Sequence, residues 1–109
     1  MSKEREQDLR ERAALKQKYG ELFAKVSAVL FELDPMGINF ESNTDEYEPE
    51  AGTIIPRLTE VSTPQDVEVI VHEEFSRWFG DEEAGPREQY RTVAARIWEA
   101  WGAFSRREA

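Results

Sequence analysis

Leu15, Tyr19, Leu22, Val26, Val29 and Leu33 recur at spacings of four, three, four, three and four residues, which places them on one face of a single long helix. Phe23 and Leu30 widen that face into a stripe suited to a globular bundle. The strict repeat covers fewer than three heptads, too few to favour a coiled coil. Ahead of Leu15 only Leu9 and Ala13 continue the pattern among many charges, so residues 1–14 are expected to form a charged helical extension that frays. Gly20 is expected to weaken the helix midway.

The residue before a proline is pushed out of the α region, which predicts that the first helix ends at Leu33-Asp34. Asp34-Pro35-Met36-Gly37 then has Asp, Pro and Gly at the first, second and fourth positions of a type I turn, so Asp34, Pro35 and Gly37 are read as a structural turn. It opens an irregular loop over residues 34–46, with Ile38 and Phe40 expected to tuck onto the core. Ser42, Asn43 and Thr44 offer N-caps for a second helix, with Asp45 and Glu46 near the positive end of its dipole. Tyr47, Ala51, Ile54, Ile55 and Leu58 form its apolar face, and Pro49 and Pro56 keep it short and kinked.

The third helix has the best-marked start: Thr63 as N-cap, Pro64 at the first helical position and Asp66 where a capping box carries Glu. Val67, Ile70, Val71, Phe75, Trp78 and Phe79 follow on one side, and Gly80 stops it. Residues 81–85 read as a connection. Pro86 opens a last helix with Tyr90, Val93, Ala94, Ile97, Trp98, Trp101 and Phe104 on its face. The expected fold is all-α, a compact four-helix bundle-like domain over residues 15–105, with residues 106–109 as a tail.

At 109 residues and 39% hydrophobic, the chain fits one domain able to bury a core without staples. It has no cysteine, which removes disulfides, thiolate nucleophiles and Cys-based zinc sites together. The charged first twelve residues lack the apolar region of a secretory signal, and no apolar run approaches the ~18 residues of a membrane span. A soluble, cytoplasmic protein is expected. The net charge of −9 is unevenly spread: Glu21 to Glu83 holds sixteen Asp/Glu against Lys25, Arg57 and Arg77, while both ends are mildly basic. Such a middle repels phosphate backbones and favours basic partners, though an acidic surface also simply keeps a small protein soluble.

Enzyme chemistry finds little support. His72 is the only histidine, and His72-Glu73-Glu74-Phe75 lacks the second histidine of a helical zinc protease motif. Paired carboxylates such as Asp45 and Glu48 have no accompanying sign of a pocket, and Ser42, Ser62, Thr63 and Ser76 lack a nucleophile context. No catalytic residue, no cofactor and no metal ligand is assigned. The alternative reading is a small-molecule or divalent-metal-binding regulatory domain that uses the loop between the first two helices. There Asp34, Asn39, Asn43, Asp45, Glu46 and Glu48 supply hard oxygen donors, but Glu48 stands where a calcium-binding EF-hand loop needs glycine. Helical spacing assigns Trp78, Trp98 and Trp101 mainly to the core. Trp98 and Trp101 cannot both reach the centre of one stripe, so one of them is a candidate homodimer contact. Arg87, Arg91 and Arg96 are read as the solvated face of the last helix.

The succession Asp34-Pro35-Met36-Gly37-Ile38, Asp45-Glu46-Tyr47-Glu48-Pro49-Glu50 with Ile54 and Leu58, Phe75-Ser76-Arg77-Trp78-Phe79-Gly80 and Ala94-Ala95-Arg96-Ile97-Trp98 resembles a family of small uncharacterised bacterial proteins. That family carries Trp-Asp-Pro-hydrophobic-Gly and Asp-Glu-Tyr motifs. The likeness spans roughly Leu22 to Trp101, with Leu33 in place of the family's Trp and a longer extension before Leu15. The resemblance implies a compact helical domain without an established activity, and small acidic proteins of this kind also occur as immunity proteins beside secreted toxins.

Together these features lead to the expectation of a non-enzymatic acidic module that binds a basic protein and no nucleic acid or membrane, in the manner of an immunity protein blocking a nuclease-like toxin. Its binding edge is expected at Asp45, Glu46, Tyr47, Glu48 and Glu50 and at Glu73, Glu74, Asp81, Glu82 and Glu83.

Overall fold

A computed structural model describes residues 2–35 and 47–108. Among these, the helices are α1 (Ser2–Leu33), α2 (Glu48–Ile54), α3 (Pro64–Phe79), α4 (Asp81–Ala84) and α5 (Arg91–Glu108), with 3-10 helices at Ile55–Glu60 and Arg87–Tyr90. No strand occurs among the described residues, and the domain is the all-α bundle that the periodicity predicts.

α1 buries Tyr19, Leu22, Phe23, Val26, Val29 and Leu30 against α2 and α5. Its midpoint is interrupted at Gly20, whose φ of 32° and ψ of −99° lie outside the helical region. No heavy atom lies within 4 Å of where a Cβ would stand there, so glycine is required by the backbone and not by crowding. The first half of α1 helps hold α2: the Arg12 side chain crosses Gly52, and Lys16 Nζ pairs with Glu48 at 2.8 Å.

α1 ends at Leu33 as expected, but by a different device from the one proline alone suggests. Asp34 takes a left-handed φ of 47° while its N–H donates to the Leu30 carbonyl at 2.8 Å. Short polar side chains tolerate that region better than most. Met36 and Gly37, the second half of the expected turn, lie outside the described residues, as do Ile38, Phe40 and the candidate caps Ser42, Asn43 and Thr44. The N-cap residue of α2 is Tyr47, which makes no side-chain capping bond. Pro49 sits in the first turn of α2, and Pro56, with no N–H to continue the ladder, falls in the 3-10 helix that follows.

α3 begins with the capping box. Thr63 Oγ1 accepts from Asp66 N–H at 3.1 Å, while Asp66 Oδ2 accepts from the N–H groups of Ser62 at 2.8 Å and Thr63 at 3.1 Å. The Ser62 N–H, followed by Thr63, holds the Asp66 carboxyl below its ordinary range. Gly80 closes α3 at φ 90°, its N–H donating to Ser76 at 2.8 Å.

Three boundaries in the C-terminal part of the chain differ from the sequence reading. Residues 81–84 form a short helix of their own, and Pro86 is extended and does not open the last helix. A 3-10 helix at Arg87–Tyr90 intervenes, and at its end Tyr90 turns fully inward, its hydroxyl donating to the Ala84 carbonyl at 2.5 Å. α5 then runs on to Glu108, so Arg106, Arg107 and Glu108 of the expected tail are helical; Arg107 pairs with Glu21 and its hydrogen bond holds that carboxyl below its ordinary range.

Gly20→Ala is expected to destabilise the domain by about 1 kcal/mol although the site is open, because φ is positive there. Gly52→Ala meets the Arg12 side chain at 3.1 Å and Leu15 Cδ1 at an ordinary 3.9 Å, and is expected to change stability by less than about 0.5 kcal/mol. Urea unfolding of both variants checks the contrast.

Candidate functional site

Several of the carboxylates expected on the binding edge are engaged inside the domain. Glu74 is 1% exposed and meets Arg57 Nη1 at 2.8 Å and Arg77 Nη1 at 3.3 Å. Arg57 Nη2 also donates to Glu73 Oε1 at 2.7 Å, and this hydrogen bond, ahead of the one donated to Glu74, raises the guanidinium further above its ordinary value. A carboxylate this deeply buried is tolerated only with charge-assisted partners. Two arginines supply them, joining the 3-10 helix at Ile55–Glu60 to α3.

Glu68 repeats the arrangement. It is buried on α3 and meets Arg87 Nε at 3.1 Å and Arg91 Nε at 3.5 Å. Arg96 reaches Glu32 of α1 at 3.0 Å. The three arginines read as a solvated face therefore each bridge to a carboxylate on another helix. The sequence reading missed Glu68 altogether, although it falls next to Val67 and four residues before His72 on a helix flanked by arginines.

Tyr47 was expected on the binding edge and is instead fully buried. Its ring packs on Phe75 with centroids 6.0 Å apart, and its hydroxyl donates to Asp34 Oδ1 at 2.7 Å. That bond ties the end of α1 to the start of α2. Glu50 is 4% exposed and Glu48 is half-buried beneath Lys16, so neither offers a free carboxylate edge. Asp45 and Glu46 lie outside the described residues, as does most of the loop proposed for a metal or small ligand. Among the described residues no three His, Cys, Asp or Glu side chains gather to hold a metal, and no helix is long and apolar enough to cross a membrane.

What remains exposed is the corner between α3 and α4. Glu73, Asp81, Glu82 and Glu83 all face solvent, and Arg57, His72, Glu73, Ser76, Arg77 and Asp81 line an open cleft. The corner is firmly pinned. His72 Nε2 lies 2.9 Å from the Gly85 carbonyl and donates to it in the tautomer that bond requires. Gln89 Nε2 donates to the Ala84 carbonyl at 2.9 Å, beside the Tyr90 hydroxyl. His72 is thus a half-buried bracket for the turn.

Trp78 was assigned to the core face by spacing, yet it is 41% exposed. It lies at the edge of the contact between α2 and α3, where Thr53 of α2 is its hydrogen-bond partner. The indole is nevertheless fixed, its Nε1–H donating to Thr53 Oγ1 at 3.0 Å. Phe79 and Gly80 alone separate it in the chain from Asp81. Trp98 and Trp101 are each half-buried against the core, and Trp101 stacks on Phe104 with centroids 6.1 Å apart.

Comparisons with protein-family models, curated proteins and solved structures find no match, so the chemistry of the corner is the guide to what it can do. Exposed carboxylates beside an oriented indole can form salt-sensitive contacts around an apolar anchor.

Burial raises the Tyr90 phenol above its ordinary value of 10.0. Its contribution to stability is therefore complete below that value and lost as pH climbs through the higher folded value, because the unfolded chain ionises first. Urea midpoints for the wild type are expected to fall more steeply above pH ~10 than those for Tyr90→Phe.

Proposed function

We propose that this domain is a protein-binding module that docks a basic partner on the corner between α3 and α4. The observation that carries the reading is Trp78, exposed yet held by Thr53, and three to five residues ahead of the solvent-facing carboxylates of Asp81, Glu82 and Glu83 in the chain. Tryptophan is enriched among residues that dominate binding energy, and a side chain already fixed in one orientation loses less entropy on docking. The acidic turn attracts a cationic partner from a distance, and its pinning by His72, Gln89 and Tyr90 limits the ordering cost of the encounter. A nuclease-like toxin whose cationic groove is blocked by this corner is the partner class that suits the charge. This is the action of an immunity protein.

Capture from a host lysate at low salt is expected to recover a basic protein that high salt releases. Neutralising Asp81, Glu82 and Glu83 together as amides is expected to slow its association at least about tenfold, and Trp78→Ala to speed its dissociation at least about tenfold, with neither set unfolding the domain. A partner held equally well by both sets of variants contradicts this assignment.

A further inference from the structure

The outward side of α1 carries Lys16, Gly20, Ala24, Ala28 and Glu32, one residue every four, and all five line a single groove along the helix. Gly20, Ala24 and Ala28 are exposed, and no heavy atom stands within 4 Å of a Cβ placed on Gly20. Lys16 and Glu32 mark the two ends with opposite charge, their side chains 49% and 66% exposed. The same groove is bordered by Ser27, which is only 7% exposed and whose hydroxyl oxygen is buried without a hydrogen-bond partner. A buried hydroxyl in that state is uncommon in a finished interior. Beyond Ala28 and Glu32 lies a second groove, between α1 and α5, so Ala28 stands as a low ridge between two furrows.

We propose that this face of α1 pairs antiparallel with α1 of a second copy of the chain, about a two-fold axis passing at Ala24. The ladder is self-complementary about that residue. With Ala24 against Ala24, Gly20 comes opposite Ala28 and Lys16 opposite Glu32 of the other copy, and the reverse contacts follow by symmetry. A parallel pairing would set Lys16 against Lys16 and Glu32 against Glu32. Small residues at the crossing let two helices approach closely and settle ridges into grooves. Ser27 comes level with Gly20 and Glu21 of the second copy, where the backbone leaves the helical region and no Cβ blocks approach. Each Lys16, on its own Glu48, then comes up to the other copy's Glu32, which also holds its own Arg96. The face differs from that of Trp98 and Trp101, and the pairing leaves the corner at α3 and α4 open.

The ladder spans about 24 Å at the helical rise of 1.5 Å per residue, a narrow strip beside the ~800 Å² per partner of a standard interface. The dimer is therefore weak and concentration-dependent. Sedimentation equilibrium at low salt, from about 10 μM to about 1 mM, is expected to show the apparent mass rising from 12.6 kDa toward twice that value. Ala24→Arg places two cations on the axis and is expected to remain monomeric with unchanged circular dichroism. Lys16→Glu is expected to weaken the dimer at least about tenfold, and adding Glu32→Lys to restore it. A wild type that stays monomeric throughout overturns the proposal, as does an Ala24→Arg dimer or a charge-swapped pair that fails to recover. A dimer abolished by Trp98→Ala but kept by Ala24→Arg assigns self-association to the other face and overturns it equally.

Discussion

The contact between the buried carboxylate of Glu74 and the guanidinium groups of Arg57 and Arg77 is the constraint around which the rest is arranged. A carboxylate removed from water is strongly unfavourable unless its partners stay in place, so the 3-10 helix carrying Arg57 cannot drift from α3. That fixed relation positions α2, and with it Thr53, which orients Trp78. It also leaves Glu73 at the surface with one Arg57 nitrogen on it. Glu68 with Arg87 and Arg91 performs the equivalent task at the other end of α3, anchoring the passage into α5. The acidic excess of the middle of the chain is consequently of two kinds, one holding helices together and one facing solvent.

Sequence alone could separate those kinds only in part. The stripe from Leu15 to Leu33, the box at Thr63 and Asp66 and the stop at Gly80 were legible because each rests on local rules: spacing, a side chain reaching its own helix end, a positive φ. Glu50 and Glu74 were misplaced because charge was weighed above position. Glu74 lies four residues from Ile70 and three from Val71, and Glu50 three from Tyr47, so both already sat on buried faces. What could not be read was the arginine that makes such burial tolerable, since Arg57 is seventeen residues from Glu74. Trp78 erred in the opposite direction: spacing placed it on the core face, but it lies at the edge of that face, 41% exposed, with its indole N–H on Thr53 of α2.

Asp34 and Tyr47 show the same division. The end of α1 followed from Pro35, whereas the bond from the Tyr47 hydroxyl to Asp34 spans thirteen residues and has no local signature. Tyr47 therefore changes from a recognition residue into a buttress beneath the corner. Of the expected binding edge, Glu73, Asp81, Glu82 and Glu83 keep the exposure a partner needs. A function built there uses a surface whose shape is set by groups that themselves never touch the partner.

The division between structural and solvent-facing carboxylates is tested most directly by comparing the unfolding free energies of Glu74→Gln and Glu82→Gln in urea. Glu74→Gln strands two guanidinium groups beside a neutral amide and is expected to lose about 2 kcal/mol or more. Glu82→Gln removes an exposed charge and is expected to stay within about 0.5 kcal/mol of the wild type. Equal losses for the two, or a larger loss for Glu82→Gln, would contradict the account.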